Sequence, residues 1–165
     1  MKEIKIEELS LEAFNEFGSF NNMINPSNIH FGTDPVTFYR DMLQQDMGVK
    51  TVTSFSICRV IPRDFTITIS EYHSHCGEGI LPLDNDIVIH VAPGAPNGEL
   101  PVDQFKAFRV PKGTMVVLKP GVFHHAPWCL NNKEANSLIV LPQRTYANDC
   151  IVIEHKEDEK IRMIV

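Results

Sequence analysis

The sequence predicts an all-β domain folded as a small barrel or sandwich. Short segments rich in valine, isoleucine, threonine and aromatic residues recur from residue 51 onward, and turn residues separate them. Helical patterns are confined to brief stretches near the start of the chain. One later segment carries histidines and glutamates and another carries two histidines, a pattern typical of a metal site in the mouth of a barrel.

Length and composition limit the classes of function. The 165 residues suffice for one domain with a core, and a net charge of −6 argues against a nucleic-acid surface. No apolar run approaches the roughly 20 residues that span a bilayer, and residues 1–5 lack the apolar stretch of a signal peptide. We therefore expect a cytoplasmic protein with no nucleic-acid or membrane partner. Its four cysteines are expected to be free thiols.

The chain is predicted to form a single domain over residues 1–165. Within it, residues 1–48 are expected to be a helix and loop extension, 49–155 the barrel, and 156–165 a solvated tail. Turns rich in proline, glycine and asparagine separate the strands. The predicted strands are 51–60, 65–72, 86–91, 105–110, 114–118, 138–141 and 150–154.

The first 48 residues contain two short helical patterns. Ser10 is suited to cap a helix that Gly18 would end in the left-handed conformation. Residues 18–35 are rich in asparagine, glycine and proline, which predicts a loop. A second short helix or turn is expected over residues 38–45.

The first candidate ligand segment is residues 70–78. Glu71, His73 and His75 alternate along it, so an extended strand would place all three on one face. Burying two imidazoles and a carboxylate together is costly without a cation. Glu78 supplies a further carboxylate. The alternative is an exposed loop that happens to be polar.

The second candidate segment is residues 113–128. An apolar strand meets the turn Pro120-Gly121, and His124 and His125 follow it. A single histidine in such a place is usually a hydrogen-bonded structural residue, but two segments of matching character favour a shared site. We expect His73, His75, His124 and one carboxylate to bind one divalent metal ion. That carboxylate is Glu78 or, as its competitor, Glu71.

Two cations are candidates for binding a substrate. Arg59 lies on a predicted strand, where its planar fork could hold a carboxylate with two hydrogen bonds. Lys119 is the second candidate, beside the Pro120-Gly121 turn. The alternative for both is an exposed surface position.

The two ligand segments resemble the two cupin motifs, His-x-His with a following Glu, and Pro-Gly before a His. The spacing from His75 to Glu78 is about one residue shorter than in cupins, and that from Gly113 to Pro120 is one longer. The resemblance implies a cupin-type double-stranded β-helix, or jelly-roll barrel, with short N-terminal helices outside it.

A closer resemblance, in order along nearly the whole chain, is to the ureidoglycolate lyase family, a branch of the cupins. The segments that carry it are Glu12-Ala13-Phe14 with Phe17-Gly18, Ile57-Cys58-Arg59 with Pro62, Glu71-Tyr72-His73, Leu81-Pro82-Leu83, Phe123-His124-His125-Ala126-Pro127 and Asn148-Asp149-Cys150. Four positions depart from the family pattern. Phe123 replaces a tryptophan, Ala126 is inserted, Lys119 stands where a histidine is expected, and His75 is an addition.

The resemblance implies a metal-dependent carbon–nitrogen lyase that releases urea and glyoxylate from ureidoglycolate, a reaction of allantoin degradation in purine metabolism. It implies one Ni, Mn or Zn ion and a homodimer paired through its sheets. His125, Glu71, Arg59 and Lys119 are then the candidate catalytic residues. Two alternatives stay open: another metal cupin enzyme, such as a sugar isomerase or a dioxygenase, and a non-catalytic module that binds a small acid or sugar.

Overall fold

The structure is a computed structural model that describes residues 1–165. It consists mainly of fifteen β-strands. Two single-turn α-helices, α1 (Leu11–Phe14) and α2 (Thr145–Asn148), lie between strands. The strands are β1 (Lys2–Glu8), β2 (Gly18–Asn22), β3 (His30–Thr33), β4 (Val36–Tyr39), β5 (Thr53–Val60), β6 (Thr66–Ile67), β7 (Ile69–Tyr72), β8 (Glu78–Pro82), β9 (Ile87–Val91), β10 (Lys106–Val110), β11 (Thr114–Leu118), β12 (Trp128–Cys129), β13 (Ala135–Pro142), β14 (Ile151–Glu154) and β15 (Ile161–Ile164).

Two larger sheets and two strand pairs make up the architecture. The six-stranded sheet has the order β12-β9-β10-β1-β15-β6, and the five-stranded sheet has the order β2-β11-β8-β13-β5. Strands β7 and β14 pair with each other, as do β3 and β4. Most neighbours are antiparallel, but β1 runs parallel to both β10 and β15. The predicted all-β fold is therefore confirmed.

Strand β9 shows where the core lies, because both of its faces are buried. Ile87, Ile89 and Val91 pack into the larger hydrophobic cluster between the two sheets. Val88, with Ala92 just beyond the strand, points the other way, into a second cluster. The alternation of side chains along one strand thus fills two cores.

The first 48 residues differ from the predicted extension, since they contribute strands to both sheets. Strand β1 lies inside the six-stranded sheet, with Ile4 opposite Met163 of β15. Residues 156–165 likewise differ from the predicted solvated tail, because β15 is part of that sheet. Ile4 and Ile6 alternate with charged residues, which is the pattern of a half-buried strand. The pairing of such short strands depends on distant partners that spacing alone does not reveal.

The predicted helix exists but is short. The Ser10 Oγ accepts a hydrogen bond from the Ala13 N–H at 3.1 Å, so the predicted cap is present. The helix ends at Phe14, and Gly18 begins β2 instead of ending the helix. A Cβ at Gly18 would overlap the carbonyl oxygen of Val117 on β11, so glycine permits this close strand approach. In place of the helix expected over residues 38–45, β3 and β4 form a hairpin that ends at residue 39.

Candidate metal centre

Two main-chain hydrogen bonds bring the two predicted ligand segments together. The Glu71 N–H donates to the His124 carbonyl at 2.6 Å, and the His124 N–H donates to the Glu71 carbonyl at 2.8 Å. Residues opposed in this way have Cβ atoms about 5 Å apart, so their side chains meet. His73 follows Glu71 by two residues and shares its side of the chain. This pairing is the structural origin of the site.

Glu78 reaches the same place from the next strand. Strand β7 ends at Tyr72, and the Gly121 N–H then donates to the His73 carbonyl at 2.7 Å. The chain bends through residues 74–77 and enters β8 at Glu78, which lies opposite Leu118 of β11. The predicted Pro120-Gly121 turn is therefore present, and it contacts the first ligand segment directly.

The four side chains form one cluster, in which Glu71 is partly exposed and the other three are buried. The Glu78 Oε2 lies 2.9 Å from the His73 Nε2 and 3.0 Å from the His124 Nε2. The ligand atoms of Glu71, His73 and His124 all lie within 4.8 Å of one another. His73, Glu78 and His124 are 2%, 7% and 3% exposed, so water does little to screen their charges.

The hydrogen bonds of the two imidazoles leave both Nε2 atoms facing the Glu78 carboxylate. His73 Nδ1 donates to the Asp149 carbonyl at 2.6 Å, and His124 Nδ1 donates to the Val122 carbonyl at 2.9 Å. Carbonyl oxygens only accept, so in a neutral imidazole the Nε2 atom offers only a lone pair to the carboxylates. A proton or a cation therefore lies where an imidazole Nε2 and the Glu78 Oε2 meet. A carbonyl on the second nitrogen is usual for metal-binding histidines, so the residues fit a metal ion.

The pKa values of the paired groups reflect this charge balance. Burial raises the pKa of Glu78, but the charges and hydrogen bonds of His124 and His73 outweigh it and bring that pKa to about 2. Burial lowers the pKa of His124, but the Glu78 carboxylate and the Val122 carbonyl raise it to about 8. In the absence of an ion, Glu78 and His124 therefore form a buried ion pair near neutral pH.

His75, predicted as a ligand, lies outside the cluster. Its side chain is 83% exposed, and its Nδ1 atom is 3.1 Å from the Asp149 Oδ1. Asp149 also accepts the main-chain N–H groups of Ser74 and His75 at 2.8 and 2.9 Å. These bonds hold the chain in a bend after His73. The strand alternation that would have placed His75 beside His73 therefore stops there.

The two predicted substrate cations also lie elsewhere. Arg59 is exposed on β5 and pairs with Glu134. The Lys119 ammonium donates to the carbonyls of Asn15 and Glu16 at 2.6 and 3.2 Å. Neither side chain lines the pocket beside the metal cluster. Both are surface residues in this fold, the alternative that the sequence left open.

A pocket of about 160 Å³ opens beside the cluster. Its polar wall includes Glu71, His73, Glu78 and His125, and its apolar wall includes Ile80, Ile139 and Leu141. His125 thus reaches the pocket, as predicted for a catalytic base. Burial lowers the pKa of His125, with the charges of His124 and Arg63 adding to that effect. A neutral imidazole at pH 7 is the form that accepts a proton.

Two further residues contact the cluster and were not foreseen. The Cys150 thiol donates to the Glu71 Oε2 at 3.3 Å, and burial together with Glu71 raises the pKa of that thiol to about 12. Asp149 holds the His73 ring and the bend after it. Both contacts join residues far apart in the chain. The resemblance of Asn148-Asp149-Cys150 to a family segment was the only signal in the sequence.

Comparison with models of protein families shows to which family the chain belongs. A model described as ureidoglycolate lyase matches residues 1–162, nearly the whole chain. The chain belongs to the ureidoglycolate lyase family. The predicted family is therefore confirmed, and membership of the ureidoglycolate lyase family supports the prediction of an enzyme of the lyase type. No curated protein is similar enough to count as a match.

One solved structure with a TM-score above 0.5 supports the predicted fold. The dTDP sugar isomerase of Desulfovibrio desulfuricans G20 superposes with a TM-score of 0.53 at 10% identity, covering 87% of this chain and 89% of the isomerase. The oxalate decarboxylases of Bacillus subtilis and Lactobacillus farciminis give TM-scores of 0.43 and 0.45 at 13% and 15% identity, over 62% and 71% of this chain. The chain spans only 23% and 35% of those two proteins. The predicted cupin jelly roll is confirmed.

Both α-helices are single turns. Neither is long or apolar enough to cross a membrane.

Proposed function

We propose that this chain cleaves ureidoglycolate to glyoxylate and urea in the pocket beside Glu71, His73, Glu78 and His124. The observation that carries the proposal is a buried cluster of ligands beside a small pocket, in a chain whose family membership extends over residues 1–162. A pocket of about 160 Å³ suits a small hydroxy or ureido acid better than a sugar nucleotide.

The cluster is proposed to hold one divalent ion, with Ni, Mn and Zn as the candidates. Glu71, His73, Glu78 and His124 are the proposed ligands, two carboxylates and two imidazoles in place of the predicted set with His75. Two neutral imidazoles and two carboxylates balance the charge of one divalent cation. Such an ion would supply a Lewis acid toward the oxygens of the substrate.

The reaction needs a proton transfer, and we assign it to His125, which lines the pocket. Its neutral imidazole takes the proton of the substrate hydroxyl, and the O–H electrons form the new carbonyl of glyoxylate. The carbon–nitrogen bond breaks, and its electron pair goes to the urea nitrogen. The proton taken from the hydroxyl is the one that this nitrogen needs. One imidazole therefore serves first as base and then as acid.

The apolar wall of the pocket supports this chemistry. Ile80 is buried, and Ile139 and Leu141 of β13 close the pocket from the same side. Apolar walls exclude water and so strengthen the interactions of charged groups within. The Cys150 thiol donates to the Oε2 of Glu71, and this carboxylate lines the pocket.

The proposal is tested by measuring glyoxylate release from racemic ureidoglycolate with added Ni²⁺, Mn²⁺ or Zn²⁺. We expect release above the spontaneous rate, loss of that release with a chelator, and its return when the metal is restored. His125→Ala is expected to lower kcat about 100-fold or more, because general acid–base catalysis contributes a factor of that size. Metallated protein that releases no glyoxylate would contradict the proposal and redirect the search to sugars and other hydroxy acids.

We further propose a homodimer paired through the five-stranded sheet, with the cytoplasm as the compartment. Strand β5 is an edge of that sheet, and Phe55 and Ile57 on its outer face are 70% and 59% exposed. An apolar patch on a sheet favours burial against another protein surface. Phe55→Asp together with Ile57→Asp is expected to convert the dimer to a monomer in sedimentation equilibrium. A monomeric wild-type chain at micromolar concentration would rule the dimer out.

A further inference from the structure

Arg63 is a cation beside the pocket that the sequence did not single out. Its Nη2 atom donates to the carbonyls of Ala126 and Pro127 at 2.8 and 3.0 Å. Its guanidinium carbon lies 4.4 Å from the centre of the Trp128 ring, a cation–π contact. These contacts fix the plane of the guanidinium. They leave Nε and Nη1 without a hydrogen-bond partner on the protein.

Arg63 has no carboxylate of its own. None of the salt bridges of the chain includes it. It lies in a cavity of about 520 Å³ that also contains Asp64, Glu157 and Lys160. Lys160 pairs with Glu157, and the Asp64 carboxylate makes no ion pair with Arg63. A guanidinium that carbonyl groups and a ring face hold in place without a counter-ion is ready to bind an anion.

The cavity of Arg63 adjoins the pocket beside the metal cluster. His125 lines both spaces, and the two carbonyls that hold Arg63 belong to Ala126 and Pro127, which line the metal pocket. A small acid whose hydroxyl meets His125 would therefore have its carboxylate within the reach of Arg63.

We propose that Arg63 binds the substrate carboxylate, the role that the sequence suggested for Arg59. The inference rests on the proposed lyase function, because it places a 2-hydroxy acid at His125. The free Nε or Nη1 group can donate a hydrogen bond to one carboxylate oxygen, and the charge of the guanidinium strengthens that bond. Ala126, the residue inserted relative to the family pattern, supplies one of the carbonyls that orient the guanidinium.

The test compares glycolate, a 2-hydroxy carboxylate, with glycolamide, its neutral amide, by calorimetric titration of the metal-loaded protein. Arg63→Gln is expected to weaken glycolate binding about 10- to 100-fold, as loss of hydrogen bonds to a charged group does. Glycolamide binding should stay unchanged, and Arg63→Lys should give an intermediate loss for glycolate. Arg162→Gln, at an exposed position on β15, is the matched control and should match the wild type for both ligands.

The outcomes separate this inference from the lyase proposal. Equal losses of affinity for glycolate and glycolamide in Arg63→Gln would mean that Arg63 only supports the loop. No loss for either ligand would mean that Arg63 does not bind the carboxylate. Both results overturn the inference. With ureidoglycolate, Arg63→Gln should raise KM far more than it lowers kcat. If the wild type releases glyoxylate and Arg63→Gln keeps its KM, the inference fails while the lyase stands. If the wild type releases none yet glycolate binding depends on Arg63, the lyase fails instead.

Discussion

Replacing His124 with alanine is expected to abolish divalent-metal binding and to lower the free energy of unfolding by about 3–5 kcal/mol. The variant removes one of the two imidazoles that contact the Glu78 Oε2, at 3.0 Å. Glu78 is buried, so water cannot replace the hydrogen bond that its carboxylate loses. Urea denaturation of the metal-free protein gives the change in stability. Calorimetric titration with Mn²⁺, Ni²⁺ and Zn²⁺ gives the change in affinity.

His75→Ala is the informative comparison for this experiment, because the sequence pattern and the geometry disagree about that residue. The pattern assigns His75 to the metal, whereas its exposed side chain faces Asp149 at the protein surface. We expect His75→Ala to keep the metal affinity of the wild type and to change stability by no more than about 0.5 kcal/mol. Loss of metal binding in His75→Ala would refute the proposed ligand set, as would unchanged metal binding in His124→Ala.

In the metal-free protein, the contribution of the Glu78–His124 pair to the free energy of unfolding is expected to be greatest between about pH 4.5 and pH 6.5. The pKa of Glu78 is lowered from 4.5 to about 2, so its contribution is lost as pH falls from 4.5 toward 2. The pKa of His124 is raised from 6.5 to about 8, so its contribution is lost as pH rises from 6.5 through 8. Both shifts describe one interaction, and their effects on stability are not summed.

Urea denaturation at pH 6 and pH 9 measures the alkaline side of this dependence. We expect the wild type to lose about 2 kcal/mol between the two values, the equivalent of the His124 shift. Glu78→Gln removes the charge that raises the pKa of His124, so this variant should show a much smaller loss. An equal loss in both proteins would show that the pair does not control stability in this range. Saturating metal should also reduce the loss, since the ion replaces the protons on the imidazoles.

The sequence was sufficient to identify the main strands and most of the metal cluster. Strand β11 was predicted with the bounds that the structure has, and β5, β9, β10 and β14 with errors of one or two residues at one end. These strands are rich in β-branched residues, and turns bound them, so local preference and burial agree. Glu71 and His73 were expected on one face because they alternate along a predicted strand, and His124 was expected beside them because its segment has a matching character.

The misses have a common physical cause, which is contact between distant parts of the chain. His75 lies outside the site because the Asp149 carboxylate accepts hydrogen bonds from the N–H groups of the bend after His73. The position of Arg63 is fixed by hydrogen bonds to carbonyl groups in the segment after His125. Strand β2 consists of residues typical of turns, and it is extended because β11 pairs with it. None of these three contacts follows from spacing or composition.

The parallel ladders of β1 have a consequence for how the chain folds. Lys2 lies opposite Ile161, and Ile6 lies opposite Ala107, so both neighbours of this strand come from much later in the sequence. During synthesis β1 leaves the ribosome before both of its neighbours and stays unpaired until β10 and then β15 have followed. Closing such long loops is entropically costly and slows the search for the native pairing. The six-stranded sheet is therefore completed after translation has passed β15, and a nascent chain that stops earlier carries an open strand edge.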